Sequence, residues 1–187
     1  MNQQQAFIEQ TGMEGLLILH PRVFADERGY FYESYNKERF AEHDLHFDFV
    51  QDNQARSTYG ILRGLHFQHA PYAQTKLVRV TEGEVLDVVV DLRWKSKTYG
   101  QTYSIVLSED NKTQLLIPRG FAHGYAVLSP TAVFQYKCDN YYSKKYEGGL
   151  AYNDPALQID WRLPQQDIIT SERDELWTNF KDLVHNF

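Results

Sequence analysis

The stretch QTKLVRVTEGEVLDVVVDL, residues 74–92, decides the fold class of this chain. From Gln74 to Thr81 the residues alternate between two faces, which predicts a strand. Glu82-Gly83-Glu84 is typical of a tight turn and predicts a hairpin into the next strand. Val85–Leu92 is almost continuously apolar, as in a strand that is buried on both faces. The stretch therefore predicts a β-sheet protein.

Similar short segments lie on both sides of this stretch, each bounded by Gly, Pro, Asn or Ser. Because they follow one another at intervals of roughly 8–12 residues, they predict a sandwich or barrel, and we favour a small β-barrel. The expected strands are Leu16–Leu19, Tyr30–Tyr32, Thr102–Leu107, Gln114–Ile117, Gly124–Leu128 and Ala132–Cys138.

Two segments favour a helix. Asn36–His43 predicts a modest helical stretch, and the residues from Glu172 onward have apolar positions at helical spacing. Ser171 and Asp174 resemble a capping box at the start of this C-terminal amphipathic helix. Since no repeat or linker interrupts the pattern, we expect residues 1–187 to form a single domain. The apolar positions of the C-terminal helix are Leu176, Phe180, Leu183 and Val184.

Composition limits the partners and the compartment. With a net charge of −6, the 187-residue chain lacks the basic surface that non-specific nucleic-acid binding needs. The only cysteine, Cys138, rules out an intrachain disulfide and fits a reducing compartment. MNQQQAFIEQTG at the N-terminus has no features of a secretory signal, and apolar runs such as Val88–Val90 and Leu16–Leu19 are far too short to span a membrane. We therefore expect a cytoplasmic protein without nucleic-acid or membrane partners.

Two motifs carry most of the candidate chemistry. GILRGLHFQ at residues 60–68, continuing to Gly83, and PRGFAH at residues 118–123 resemble the two signature motifs of the cupin superfamily. Cupins are jelly-roll barrels that often hold a metal, bound by His-x-His and Glu of the first motif and by one His of the second. The resemblance implies a mainly β, cupin-type jelly-roll barrel with short flanking helices, including a C-terminal helix.

The metal-ligand pattern is incomplete in this chain. His66 and His123 are present, but Gln68 and Lys76 stand where the other two ligands would fall. Two imidazoles are fewer than the three protein ligands usual in a catalytic zinc site, and an ammonium group repels a divalent cation. We therefore expect no metal, and instead a pocket of histidine, lysine and aromatic side chains.

A longer set of motifs occurs in order from about Leu16 to Asp174. Together they resemble the dTDP-4-dehydrorhamnose 3,5-epimerase family, whose members act on a dTDP-linked 4-keto-6-deoxy sugar in dTDP-L-rhamnose biosynthesis. The resemblance implies an isomerase that needs no cofactor and inverts the sugar at C3 and C5. The motifs are FADERGYF (24–31), QDN (51–53), RGLHFQ (63–68), QTKLV (74–78), YK (136–137), YY (141–142) and NDP (153–155).

The resemblance also implies catalytic roles. His66 would be the base, oriented by Asp174, and Tyr136 would be the acid on the opposite face of the sugar. Lys76 would stabilise the enolate oxygen, and His123 would lie near the ketone. From the residues alone, the favoured interpretation of Asp174 is a helix cap and that of Tyr136 is one more core tyrosine. A lysine inside a β-barrel is costly without a partner, which argues against a purely structural Lys76.

Further positions match the nucleotide-binding residues of the family. Arg173 replaces a more usual lysine there but keeps the charge that a diphosphate needs. The resemblance further implies a homodimer, in which an N-terminal segment bearing Arg28 and Glu33 completes the site of the neighbouring chain. The implied substrate-binding residues are Phe24, Arg28, Glu33, Gln51, Asp52, Asn53, Arg63, His123, Tyr142, Glu147 and Arg173.

Other functions stay open at this point. A related cupin epimerase that inverts only C3 or only C5 would use the same enolate chemistry. A metal-dependent oxygenase or a non-catalytic sugar-binding barrel fits less well, because binding alone does not require His66, Lys76 and Tyr136 as an acid–base set.

Overall fold

Two antiparallel sheets form the body of the protein in a computed structural model that describes residues 7–184 and 187. The strands are β1 (Ile8–Gln10), β2 (Leu17–Leu19), β3 (Val23–Asp26), β4 (Gly29–Tyr32), β5 (Gln51–Thr58), β6 (Leu62–Gln68), β7 (Lys76–Glu82), β8 (Glu84–Asp91), β9 (Thr102–Ser108), β10 (Gln114–Ile117), β11 (Phe121–Val127), β12 (Thr131–Cys138) and β13 (Glu147–Gly149). Among these residues, the six-stranded sheet has the order β1-β2-β10-β7-β12-β5 and the five-stranded sheet the order β13-β6-β11-β8-β9. Within the described part of the chain, strands β3 and β4 pair only with each other, as a separate hairpin.

The core has three layers. The inner faces of the sheets meet in one cluster, to which Val80 of β7 and Val89 of β8 both belong. Trp161 and other residues of the C-terminal third cover the outer face of the five-stranded sheet, and Phe40 covers part of the six-stranded sheet. Strand β8 is therefore buried on both faces, which explains its nearly unbroken apolar sequence. The mainly β jelly-roll barrel predicted from the sequence is confirmed.

Gly83 carries the chain from one sheet to the other, so the predicted hairpin at Glu82-Gly83-Glu84 is wrong. Strand β7 pairs with β10 and β12, whereas β8 pairs with β9 and β11. Gly83 has a φ of +73°, and a Cβ there would overlap the carbonyl oxygen of Thr131. Only glycine meets both conditions, because side chains disfavour this backbone conformation.

Both predicted helices exist, but the second is much shorter than expected. Helix α1 spans Lys37–Ala41, and the Asn36 side chain accepts a hydrogen bond from the backbone N–H of Glu38 at 2.9 Å. Helix α2 spans only Glu172–Glu175. No helix among the described residues is long and apolar enough to cross a membrane.

The amphipathic helix predicted beyond Glu175 is wrong because tertiary contacts override its apolar spacing. Leu176 is 80% exposed, and Thr178 instead forms a β-bridge with Leu150. The backbone N–H of Phe180 then donates to the Asp154 carboxylate at 2.6 Å. These pairings satisfy backbone groups that a continuing helix would have used for itself.

Replacing Gly83 by alanine tests the crossing between the sheets. Gly83→Ala combines the strain of a positive φ with a backbone clash, so it should lower the free energy of unfolding by about 3 kcal/mol or more. Gly12 has a similar φ, +86°, but open space around it. Gly12→Ala should therefore cost only about 1 kcal/mol in the same urea titration. Equal losses in the two variants would contradict this account.

Candidate active site

A cavity with two adjoining lobes lies between the sheets. The larger lobe has a volume of about 570 Å³ and the smaller lobe about 290 Å³. Four candidate residues, His66, Lys76, Tyr136 and Arg173, line both lobes and so mark the boundary between them. The larger lobe has a mainly apolar surface, whereas the smaller lobe is rich in amide groups.

The two cavity histidines are neighbours because two strands approach unusually closely. His66 on β6 is the cross-strand partner of His123 on β11, and the register shifts just beyond them. A Cβ on Gly64, whose φ is +136°, would lie 2.5 Å from Cα of Gly124. The absence of side chains at both glycines is therefore what allows this contact.

His66 is held by Asp174, which follows it by 108 residues. Its Nε2 lies 2.6 Å from Oδ1 of Asp174, and the carboxylate is only 3% exposed. Burial alone would raise the pKa of Asp174, but the hydrogen bond with His66 and the positive groups nearby lower it below its ordinary value. Asp174 therefore favours the ionised form, which stabilises a protonated imidazole.

Asp174 also occupies the first turn of α2. Its backbone N–H donates to the Ser171 hydroxyl at 3.2 Å, while its side chain points to His66. Ser171 is therefore the cap of the helix, and of the two alternatives for the Asp174 carboxylate, helix capping and contact with His66, the structure has the contact with His66.

Lys76 and Tyr136 come from the six-stranded sheet, opposite His66. Burial lowers the pKa of Lys76, with partial opposition from Cys138, Asp87 and other groups. Burial raises the pKa of Tyr136 to about 12. The Lys76 Nζ lies 5.9 Å from the centre of the Tyr136 ring. Tyr136 therefore stays protonated near neutral pH.

His123 has a buried partner that was not predicted from the sequence. Its Nε2 lies 2.9 Å from Oδ2 of Asp87, which is fully buried on β8. One signal for Asp87 was available: it lies two residues from Val85 and from Val89, so it shares their inward face. A carboxyl group on that face needs a partner inside the barrel.

Aromatic rings form part of the wall around His123. The Phe134 ring stacks on Tyr125 with 4.1 Å between ring centroids and lies 5.9 Å from the His123 ring. Phe134 and Tyr125 both line the larger lobe, and neither was predicted as a site residue. Part of the aromatic content thus shapes the cavity.

Several of the predicted nucleotide-binding residues line the smaller lobe. They are Gln51, Asn53, Tyr142, Glu147 and Arg173. The Tyr142 hydroxyl donates to Glu147 at 3.2 Å, and Arg173 donates to both oxygens of the same carboxylate. Arg63 lines the larger lobe instead and donates twice to the Ser57 hydroxyl at 3.2 Å.

Four predicted binding residues lie away from both lobes. Asp52 points to the other side of β5, where it pairs with Lys137 at 2.8 Å. Phe24 and Arg28 belong to the β3–β4 hairpin and line a separate concavity formed by that hairpin. Glu33 accepts a hydrogen bond from Asn36 next to the hairpin.

Gln68, at the position of a cupin metal ligand, is engaged with a neighbouring loop. Its amide N–H groups donate to the carbonyl oxygens of Tyr72 and Tyr141, and its oxygen accepts from the backbone N–H of Ser143 at 2.6 Å. Within residues 7–184 and 187, no group of three or more His, Cys, Asp or Glu side chains could hold a metal ion.

The two-sheet barrel has the cupin-type fold. Its cavity combines a histidine–aspartate pair with a lysine and a tyrosine, which are the acid–base groups that an isomerase uses to move protons. The family model described as dTDP-4-dehydrorhamnose 3,5-epimerase matches residues 10–182. The chain belongs to the dTDP-4-dehydrorhamnose 3,5-epimerase family.

Individual relatives agree with this assignment. The dTDP-4-dehydrorhamnose 3,5-epimerase of Escherichia coli is 51% identical over 178 residues, which cover 94% of this chain and 95% of that protein. The crystal structure of the enzyme of the same name from Elizabethkingia anophelis has a TM-score of 0.90 and 52% identity, covering 96% and 98% of the two chains. A dTDP-6-deoxy-D-glucose-3,5-epimerase from Legionella pneumophila, solved in complex with dTDP-4-keto-L-rhamnose, has a TM-score of 0.90 and 45% identity, covering 95% and 94%.

The ionised state of Asp174 predicts how stability depends on pH. Because its pKa is lower in the folded than in the unfolded chain, the carboxylate stabilises the fold above roughly pH 4, and this contribution is lost as the pH falls through the folded pKa. Asp174→Asn should therefore be less stable than wild type at pH 7, with a gap that shrinks below about pH 4. Urea unfolding over a pH series measures the gap. Asp110→Asn, at an exposed turn, is the matched control and should show no such trend.

Proposed function

We propose that the chain carries out the 3,5-epimerisation of its family with His66 as base and Tyr136 as acid. The hydrogens at C3 and C5 of a 4-keto sugar both lie next to the ketone, so removal of either leaves an enolate. The observation that carries the proposal is that His66 belongs to the five-stranded sheet and Tyr136 to the six-stranded sheet, and both line one cavity. A sugar ring between them would meet a base on one face and an acid on the other.

His66 is suited to accept the proton. Asp174 occupies its Nε2, which leaves Nδ1 as the nitrogen for the substrate C–H. The Asp174 carboxylate stabilises the imidazolium that forms, as an aspartate does for the base in serine proteases.

Tyr136, Lys76 and His123 complete the reaction. Tyr136 keeps its proton at neutral pH and can deliver it to the opposite face of the enolate carbon, which inverts the centre. Lys76 and His123 line the same lobe and would stabilise the negative charge on the C4 oxygen. Every step moves only protons, so the proposal requires no redox or metal cofactor.

The smaller lobe is suited to the dTDP part of the substrate. The exposed Tyr142 ring offers a face for thymine, and the amides of Gln51 and Asn53 can bond to its polar edge. Arg173 lies at the boundary of the lobes and Arg63 in the larger lobe, where their guanidinium groups can hold the diphosphate between nucleoside and sugar.

We further propose that the active protein is a homodimer in which each β3–β4 hairpin completes the other chain's site. Phe24 is 51% and Phe31 69% exposed on this hairpin, and such adjoining apolar surface is typical of an interface. Strand β5 is an open edge of its sheet, and its Gln51 and Asn53 line the smaller lobe. A partner hairpin arriving at this edge would bring Arg28 to the nucleotide.

The domain organisation and the cellular compartment belong to the same proposal. We expect residues 1–187 to act as one catalytic domain, since the cavity uses strands from β5 to β13 together with α2. We also expect the enzyme to work in the cytoplasm, where a buried reduced cysteine such as Cys138 is stable.

Replacing the base or the acid tests the proposed roles. His66→Asn should lower kcat by about 10³-fold or more while the Kd for dTDP stays within about twofold, because the groups proposed to hold the nucleotide are unchanged. Tyr136→Phe should still exchange substrate hydrogen with D₂O but should form little inverted product. Proton NMR with dTDP-4-keto-6-deoxyglucose follows both the hydrogen exchange and the formation of inverted product. Full activity of His66→Asn would contradict the assignment, and deuterium at only C3 or only C5 in wild type would show a single epimerisation.

Mixing two inactive variants tests the shared site. In a mixed dimer of His66→Asn and Arg28→Ala, one site combines the intact barrel of one chain with the intact hairpin of the other. Random exchange should therefore restore about a quarter of wild-type activity, since half of the dimers are mixed and one of their two sites is intact. Activity that never exceeds the mean of the separate variants would place Arg28 in the site of its own chain. Arg22→Ala, on the same segment, replaces Arg28→Ala in the control mixture.

A further inference from the structure

We propose that Asp87 is a positioning residue that holds His123 as a neutral imidazole with its hydrogen on Nδ1, so that His123 donates a hydrogen bond to the C4 oxygen of the substrate. The inference rests on the function proposed above. It goes further by assigning the protonation of a second histidine–aspartate pair. In this pair the aspartate is protonated, whereas Asp174 beside His66 is ionised.

The geometry leaves only one nitrogen of His123 for the cavity. Nε2 is bonded to Oδ2 of Asp87, so Nδ1 is the nitrogen that can reach a ligand in the larger lobe. Asp87 itself does not line the lobe and has no exposed surface. Any effect of Asp87 on a bound sugar therefore passes through His123.

Apart from His123, no described group forms a hydrogen bond with the Asp87 carboxyl group. Its Oδ1 is buried and has no hydrogen-bond partner among the described residues. Asp91, on the same strand and equally buried, accepts hydrogen bonds from Arg93, Ser96 and Thr98. An ionised buried carboxylate needs such donors, whereas a neutral carboxyl oxygen tolerates their absence far better. Burial accordingly raises the pKa of Asp87, while the donors around Asp91 outweigh burial and lower its pKa.

Charges facing the pair disfavour an imidazolium at His123. Burial lowers the pKa of His123 most, and Lys76 on β7 and His66 on β6 lower it further. Asp87 acts in the opposite direction and raises the pKa of His123, while Lys76 and His123 lower the pKa of Asp87. Burial is the largest cause for both groups, so the pKa of His123 is lowered and the pKa of Asp87 is raised. Tyr125 and Tyr136, from β11 and β12, face the same lobe with neutral hydroxyl groups.

These observations fix the direction of the hydrogen bond. The Asp87 carboxyl O–H donates to Nε2 of His123, so the single ring hydrogen lies on Nδ1 and points to the cavity. A neutral imidazole donor is suited to a forming enolate, as neutral histidine is in triosephosphate isomerase. Lys76 then supplies the positive charge and His123 the directed hydrogen bond.

The tautomer can be observed directly. In wild-type protein labelled with ¹⁵N-histidine, long-range ¹H–¹⁵N NMR spectra should show His123 with its hydrogen on Nδ1 at pH 7. The His123 signals are assigned by their loss in His123→Gln. Infrared difference spectra of wild type against Asp87→Asn should contain the C=O band of a protonated carboxylic acid. A hydrogen on Nε2, or the absence of that band, would overturn the proposal.

Two variants of Asp87 supply the kinetic test. Asp87→Asn can replace the O–H donor by an amide N–H, so kcat/KM should fall by no more than about tenfold, whereas Asp87→Val, without a donor, should lose about 100-fold. The Kd for dTDP should stay unchanged in both, which a general loss of structure would not produce. Equal losses in the two variants would show that a carboxylate is required. If Asp87→Val does not fold, the wild-type NMR spectrum and Asp87→Asn still decide the question.

These results are separable from those on the proposed function. Wild-type protein that fails to exchange deuterium into the sugar would overturn the epimerase mechanism, whatever the tautomer of His123. Active wild type with its hydrogen on Nε2 of His123 would overturn only the role given to Asp87.

Discussion

Strands β6 and β11 lie closer together at Gly64 and Gly124 than side chains would allow, and the arrangement of the cavity depends on this contact. It makes His66 and His123 cross-strand neighbours, although the register shifts immediately beyond them. Each imidazole is then held through Nε2 by a buried aspartate, and its other nitrogen is left for the cavity. Both imidazoles thus line the same cavity with Nε2 already bonded.

The environment makes these two aspartates behave differently. Asp174 is at a helix start, near Ser171 and Arg173, and its pKa is lowered. Asp87 lies in the middle of a strand that is apolar on both faces, and its pKa is raised. The same residue type can therefore support a base at one wall of the cavity and a neutral donor beside it. Burial raises the pKa of both carboxyl groups, but Asp87 is the more deeply buried, whereas hydrogen bonds and positive charges near Asp174 outweigh its burial.

Patterns within one segment predicted the fold well, and contacts between segments were harder to foresee. Strands β7, β8, β10 and β12 followed from alternating or continuous apolar residues, and paired motifs brought His66 and His123 together. The sheet change at Gly83 was missed because a Gly flanked by two Glu is also typical of a hairpin turn.

Two other wrong or missing predictions, the length of α2 and the role of Asp87, also depend on contacts between distant segments. The extent of α2 was overestimated because the spacing of Leu176 and Phe180 does not reveal the pairing of Thr178 with Leu150. Asp87 was overlooked because its partner lies 36 residues away and a charge within an apolar strand carries no sign of what it meets. Asp174 follows the last described strand, β13, and lies 108 residues after the histidine it holds. During synthesis, the described strands of the barrel are therefore all made before the proposed base can acquire its partner.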